Sequence, residues 1–402
     1  MQPSLAERAN QQMVDRLIAQ GALWSHALIA AFRQTPRHRF LSRVFQYHRK
    51  SDRWREVNTR DPSAGHLRLL YSDRALITHL SDGARPEPPV PISSSSQPSL
   101  MAQMLEDLRL GSDLRTLEIG TGTGYNAALL AHVVGPGQVY SIDVDRAVLA
   151  EARAHLEAFA DRGIALHHAD GRHGFPDAAP FDRIMVTAAT FDIEPAWMEQ
   201  LSAQGLLLAP LALAPGLAFV VRGGVTDGVF QGRLTRAAYF MPLRAEGEAG
   251  PAPGDGPIPP GPLQSLPAPW TKWFDRRRPR NGWLGFIQAL AFFGWLRGLG
   301  VSYMTLSDGQ PAFGLSDPAR TCGCWLGLQY WQVSGETGRE LAATLWRAFL
   351  DAGGPWPTEF LLRASPRGHP ELGDGRQAYH RLGPRCHQVW ELIEPRDRPA
   401  MG

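Results

Sequence analysis

Hydrophobic positions change their spacing along the chain, and the changes divide it into four zones. Up to residue 92 they recur mostly at helical intervals, with Leu5, Met13, Leu17 and Ile18 able to line one face. The spacing predicts a mostly helical N-terminal segment, 1–92. From 93 to 244, helical patterns alternate with short apolar or β-branched runs: TLEI at 116–119, QVYSID at 138–143, IALHH at 164–168, FDRIMVTA at 181–188 and GLLLAP at 205–210. Runs of this kind, separated by helices, predict βαβ units and a parallel sheet. Residues 217–222 and 228–243 then predict a closing hairpin.

A third zone, 245–269, contains the stretch GEAGPAPGDGPIPPGPLQSLPAP. Proline removes backbone donors and glycine adds chain entropy, so the zone predicts a linker with neither a helix nor a central strand. Residues 270–402 carry apolar patterns of their own, including Leu341, Leu345 and Phe349 at helical spacing before Gly353, Gly354 and Pro355. They predict an additional α+β region that acts as an accessory domain, with peptide recognition as one use. The expected whole is α/β: a Rossmann-like sheet with helices on both faces, a helical N-terminal extension and this C-terminal region.

Composition narrows the functional classes. The chain has 402 residues, 44% of them hydrophobic, which suffices for two cores, and a formal charge of +2 announces no broad basic face for nucleic acid. Cys322, Cys324 and Cys386 are too few and too unevenly spaced for a disulfide framework or a zinc site, so no metal is expected. The first twenty residues carry charges throughout, unlike a signal peptide, and the run from Trp283 to Leu296 is shorter than the roughly 20 residues of a membrane span. A cytoplasmic protein without a membrane segment is expected, with that run as a buried helix. The aromatic residues in and around it, including Phe286, Phe292 and Phe293, read as core rather than as a peptide-binding face.

Candidate chemistry concentrates at residues 116–130, TLEIGTGTGYNAALL: an apolar strand, a turn at Gly120, Gly122 and Gly124, then a helix. Glycines there permit a tight turn and a close ligand approach to backbone amides. The next strand ends in Asp143, a little over twenty residues on, where a carboxylate can accept from ribose hydroxyls. A third strand runs into Asp170 and Gly171, and an acid there can reach an adenine amine. Both acids could equally cap helices or turns, but their joint position relative to the loop favours ligand contact. The loop reads G-x-G-x-G after Glu118, not G-x-G-x-x-G, which favours a methyl donor over a nicotinamide dinucleotide. Glu118, Gly120, Thr121, Gly122, Gly124, Asp143, Val144, Asp170 and Gly171 are therefore the expected cofactor contacts. His167, His168 and His173 read as packing or surface residues, and Arg276, Arg277, Arg278 and Arg280 as a solvated charge run that could also grip an acidic peptide.

Beyond the generic loop, PRHRFL at 36–41, YSDRAL at 71–76, Ser96-Gln97-Pro98, ADGRHG at 169–174 and APFD at 179–182 resemble, in order and spacing, motifs of the protein-L-isoaspartate O-methyltransferases. The resemblance implies S-adenosylmethionine as methyl donor and the α-carboxylate of an L-isoaspartyl residue on a peptide or protein as acceptor. The resulting ester collapses to a succinimide and reopens partly as aspartate. It also implies that Ser96 orients the acceptor; because Ser93 to Ser96 form a run of four, Ser95 is the alternative in register. The four-serine loop at 93–96 and the C-terminal extension look like an actinobacterial branch that esterifies an aspartate of a dedicated ribosomal peptide, which makes peptide tailoring the second reading. A third reading, a non-catalytic cofactor-binding module, predicts a damaged glycine loop or Asp143, and both are intact.

Overall fold

The structure is a computed structural model that describes residues 3–48, 50–81, 89–245, 263–272, 274, 282–305, 311–327, 330–367 and 378–393. The arginine run 276–280 and most of the expected linker lie outside these residues.

Five strands form the parallel centre: β5 (Thr116–Ile119), β6 (Val139–Asp143), β7 (Ala165–His168), β8 (Phe181–Val186) and β9 (Leu201–Ala214). Their spatial order is β7-β6-β5-β8-β9, all parallel. The order reverses at β5, so the carboxyl ends of β5 and β8 bound a crevice of the kind in which doubly wound sheets hold ligands. The predicted hairpin is β10 (Leu217–Thr226) with β11 (Val229–Ala237), added antiparallel beside β9.

Side chains alternate along these strands and divide the core between the sheet's two faces. Met185, Leu208 and Val220 point to one face and pack with α1 (Leu5–Ala19), α2 (His26–Gln34), α3 (Ala64–Leu70), α4 (Pro98–Asp107) and α5 (Tyr125–Val134). Ile184, Val186, Leu207, Phe219, Val221 and Phe230 point to the other, against C-terminal residues. Two further helices, α6 (Arg146–Leu156) and α7 (Pro195–Gln200), complete the central unit.

The N-terminal segment departs from the helical expectation. It holds an antiparallel sheet of β1 (Arg43–His48), β2 (Arg53–Asn58), β3 (Leu76–Leu80) and β4 (Pro91–Ser95), in the order β2-β1-β3-β4. The last strand crosses the expected boundary at residue 92. In α1, a capping box between Ser4 and Glu7 fixes the start, and Met13, Val14 and Leu17 are buried. Leu5 and Ile18 are instead exposed, because the buried stripe runs through Val14 rather than through them.

The C-terminal region is likewise not separate from the central sheet. Its first strand, β12 (Leu263–Pro267), falls inside the expected linker. It is an edge strand, where proline is tolerated. With β13 (Gly300–Thr305), β14 (Pro311–Ser316), β15 (Gly323–Leu326) and β16 (Tyr330–Ser334) it makes an antiparallel sheet in the order β12-β16-β15-β14-β13. Helices α8 (Gly282–Leu296) and α9 (Gly335–Asp351) pack on it. Phe286, Phe292 and Phe293 of α8 are buried, as expected of core. The chain then returns to the central sheet: β17 (Phe360–Pro366) pairs with β11, and β19 (Cys386–Leu392) and β18 (Ala378–Leu382) follow, giving ten strands. An accessory domain at 270–402 therefore does not match the strand pairing.

Trp390 on β19 is fully buried beside Phe292 and Trp295 of α8, in the same cluster as Leu207 and Phe219. Trp390→Ala is expected to cost about 3–5 kcal/mol and, because the core is continuous, to lower one cooperative unfolding transition. Scanning calorimetry checks this; two transitions of which only one moves would show that the C-terminal region unfolds alone.

Candidate active site

The site begins with the turn after β5. Gly120 has φ +98, and a Cβ there would lie 2.5 Å from Thr187 Oγ1 at the end of β8, so only glycine fits. Gly122 has φ +52, and a Cβ on it would point at the carbonyl of Ser94, 3.5 Å away, and at Ser93 Oγ, 3.9 Å away. A side chain at Gly122 would thus fill the gap between the turn and the serine strand β4.

Beneath the turn, Glu118 is fully buried and accepts from Asn126 Nδ2 at 2.7 Å and Ser141 Oγ at 2.5 Å. Since Ser141 donates to Glu118, Thr121 donates to Ser141, at 2.7 Å. Burial pushes the Glu118 carboxyl up to about 7 against these two hydrogen bonds. Glu118 and Thr121, both predicted as contacts, therefore hold the turn from below through their side chains.

Asp143 ends β6 with its carboxylate at the turn, accepting from the amide of Gly122 at 3.0 Å and that of Asp145 at 3.1 Å. Burial raises its pKa, and the two amides oppose the rise. The Val144 carbonyl meets His168 Nε2 at 3.0 Å. Asp170 follows β7 and caps the 3₁₀ turn Gly171–His173. Its oxygens meet Arg172 Nε at 3.0 and 3.1 Å and Nη2 at 2.6 Å. Burial would raise this carboxyl, but the Arg172 hydrogen bonds hold it below its ordinary value. Gly171 is locked in place: a Cβ would strike Ile119 at 2.5 Å, and its carbonyl accepts from Trp197 Nε1 at 2.7 Å. The predicted cofactor residues thus gather at the carboxyl ends of β5, β6 and β7, with Gly124 opening α5.

Strand alternation separates the two serine candidates. Ser95 is 3% exposed and its hydroxyl accepts from Arg37 Nε at 3.3 Å. Ser96, on the opposite phase, is half-buried, with its carbonyl on Arg37 Nη2 at 3.0 Å. Arg37 is wholly buried and also donates to the carbonyls of Leu70 (2.8 Å), Ser72 (3.1 Å), Arg74 (3.1 Å) and Ser95 (3.3 Å). Burial lowers the guanidinium to about 10, which leaves it charged at neutral pH. Asp73 completes the clamp by accepting from Gln97 Nε2 at 3.1 Å and from the amide of Ser99, at the start of α4, at 2.9 Å.

A second fastening joins the N-terminal sheet to α6. Glu151 accepts from Ser42 Oγ, from Arg43 Nη2 at 3.3 Å and from His79 Nε2 at 2.9 Å, and His155 of the same helix meets the Thr123 carbonyl at 3.0 Å. The His79 hydrogen bond, then those of Ser42 and Arg43, hold Glu151 down at about 2 despite burial. Sequence reading missed the roles of Arg37, Asp73, Glu151, Thr187 and Trp197. Arg37 and Asp73 lie inside quoted motifs, whereas the hydrogen-bond partners of Glu151, Ser42, Arg43 and His79, come from far earlier in the chain.

Residues 69–246 match the family model for protein-L-isoaspartate(D-aspartate) O-methyltransferase. A protein-L-isoaspartate O-methyltransferase of Xanthobacter autotrophicus is 40% identical over 158 residues, 39% of this chain and 69% of that one. One from Burkholderia lata is 34% identical over 246 residues, 60% of this chain and 67% of its own. A solved protein-L-isoaspartate O-methyltransferase overlays 88% of this chain and 96% of its own, with TM-score 0.50 and 22% identity. The fold likeness therefore reaches past residue 246 into the C-terminal region.

Two outcomes follow for the clamp and the buried acid. Arg37→Lys replaces a fork reaching six acceptors by an ammonium that can serve three, and should cost about 2–4 kcal/mol in denaturant unfolding. It should slow turnover while cofactor affinity stays near the parent value. Glu118 has a folded pKa above its unfolded one, so its contribution is full below about 4.5 and is lost as pH rises through about 7. Between pH 5 and 8 the parent protein should lose more melting temperature than Glu118→Gln; equal slopes would place the proton elsewhere.

Proposed function

The chain belongs to the protein-L-isoaspartate O-methyltransferase family, and we propose that it methylates the α-carboxylate of L-isoaspartyl residues in proteins and peptides, with Ser96 orienting the acceptor. It is an enzyme that uses S-adenosylmethionine. The observation that carries the assignment of residues is one convergence: a Cβ on Gly122 would lie 3.5 Å from the Ser94 carbonyl of the serine strand, while Asp143 is tied to the same glycine.

The residues present fit the donor. Asp143 would accept from the ribose, Asp170 and the turn at Gly171 would face the adenine, and the amides around Gly120 and Gly122 would line the remainder. When bound, the donor supplies a methyl group on a sulfonium. The acceptor oxygen forms the new bond to that carbon while the carbon–sulfur pair stays on sulfur, so charge cancels and no proton moves. A carboxylate with an ordinary pKa near about 4 is already ionised, and no general base is required. What remains for the protein is alignment and exclusion of water. Ser96, held by Arg37 through its carbonyl, can present its hydroxyl to one acceptor oxygen. Ser95 accepts from Arg37 and keeps its own O–H, but it is 3% exposed, which favours Ser96 for this contact.

The acceptor class is the finer part of this proposal. Since the fold likeness includes C-terminal residues, that region does not by itself argue for a dedicated peptide. Methyl transfer from labelled S-adenosylmethionine to peptides differing only in isoaspartate or aspartate at one position tests it. Label on the isoaspartyl peptide alone is expected; label on neither, with donor binding intact, would sink the proposal and favour a dedicated peptide.

Two variants test the residues. Ser96→Ala should reduce turnover at least tenfold with donor affinity unchanged, and Ser95→Ala should act mainly on stability; the reverse pattern would exchange their roles. Asp143→Ala should weaken donor binding by about 1–3 kcal/mol, read by titration calorimetry.

A further inference from the structure

The loop leaving β8 is fastened to the far end of the chain. Asp192 is 1% exposed, and its Oδ2 accepts from the amides of Arg385 at 2.8 Å and Cys386 at 2.7 Å. Its Oδ1 accepts from Gln388 Nε2 at 2.8 Å and from the amide of Ile193 at 2.9 Å. The turn before β19 is shaped to this carboxylate: a Cβ on Gly383 would lie 2.3 Å from Asp192 Oδ2. Cys386 Sγ donates to the Ile193 carbonyl at 3.1 Å, and Arg385 faces Glu194 at 3.6 Å.

The segment so held leads directly into α7, whose side chains grip the loop after β7. Trp197 Nε1 donates to the Gly171 carbonyl at 2.7 Å. Gln200 accepts from the amide of Phe175 at 2.7 Å and donates to the His173 carbonyl at 2.8 Å. On its other side the loop from β8 is paired with Met241 and Leu243, through the amide and carbonyl of Ala189. Buried and part-buried hydrogen bonds, joined by the backbone from Asp192 to α7, thus connect residues 383–388 to residues 171–175, which directly follow Asp170. None of these hydrogen bonds involves Ser96.

We infer that the C-terminal turn at residues 383–386 is a buttress for the adenine side of the cofactor site, with Asp192 as the positioning residue that transmits it. The C-terminal region then governs donor affinity rather than acceptor choice. This rests on the reading of Asp170 and Gly171 as the adenine subsite. Asp192→Asn keeps the shape of the side chain but brings an amide donor against donors, so the turn and α7 lose their common anchor.

The test uses the full chain and S-adenosylhomocysteine in titration calorimetry. Asp192→Asn should weaken binding about tenfold, with the acceptor KM unchanged at saturating donor. If the buttress acts through the adenine loop, Asp192→Asn and Asp170→Asn should be strongly non-additive, whereas Asp192→Asn and Asp143→Ala should multiply. Affinity within twofold of the parent, or multiplication with both partners, overturns the inference. Asp170→Asn without effect overturns the adenine reading and the inference with it; Asp170→Asn effective and Asp192→Asn silent overturns the inference alone. Should Asp192→Asn not fold, Arg385→Ala at the exposed rim of the same turn replaces it, with about threefold weaker binding expected and none overturning the proposal.

Discussion

A buried guanidinium that donates to five carbonyls and one hydroxyl sits at the centre of the N-terminal half, and the geometry of the acceptor side depends on it. Arg37 gathers two separate segments, the stretch Leu70–Arg74 that leaves α3 and the exit of β4, by donating to their carbonyl oxygens. Burying such a charge is unfavourable unless every donor is satisfied, so the segments that supply the acceptors are bound to one arrangement. The serine run would otherwise be a polar strand free to slip by one residue, which would exchange the inward and outward hydroxyls. With Arg37 in place, Ser95 faces inward and Ser96 does not.

The parts of the fold legible in the sequence are those whose pattern is local. The strands β5, β6 and β8 are short apolar runs, the first two beside glycine turns, and their sites follow from strand ends. By contrast, β1 and β2 carry Arg43, Gln46, Arg53, Arg55 and Glu56 with few apolar positions between them, because both lie largely at the surface. No alternation marks them as strands. The return of β17, β18 and β19 to the central sheet is invisible for a different reason: strand pairing between β11 and β17 joins residues more than a hundred apart, and each strand is equally apolar whichever sheet it enters.

At the site the same division holds. Asp143 was readable because distance from the glycine turn along the chain determines its place. The order of the two serine hydroxyls was not, since four identical residues carry no phase. Asp192 is an unremarkable acid in a loop until its partners at 385 and 386 are brought to it, and Glu151 becomes a fastening only when Ser42, Arg43 and His79 arrive from another sheet. Glu118 reads as a strand-end acid that would contact the cofactor, and the fold buries its side chain beneath the turn, where Ser141 and Asn126 take both oxygens.

The two-faced sheet also has a history within each molecule. One face is covered by segments made before it, the other by segments made after, so Phe219, Val221 and Phe230 leave the ribosome before α8 and β17 exist to cover them. At elongation rates of about 5–20 residues per second, the interval until Trp390 emerges is on the order of ten seconds. During that time a nascent chain whose glycine turn and Asp143 have already been made still presents a bare apolar wall. For this protein the hazardous moment of biosynthesis falls in mid-chain, and it ends only with the last strand.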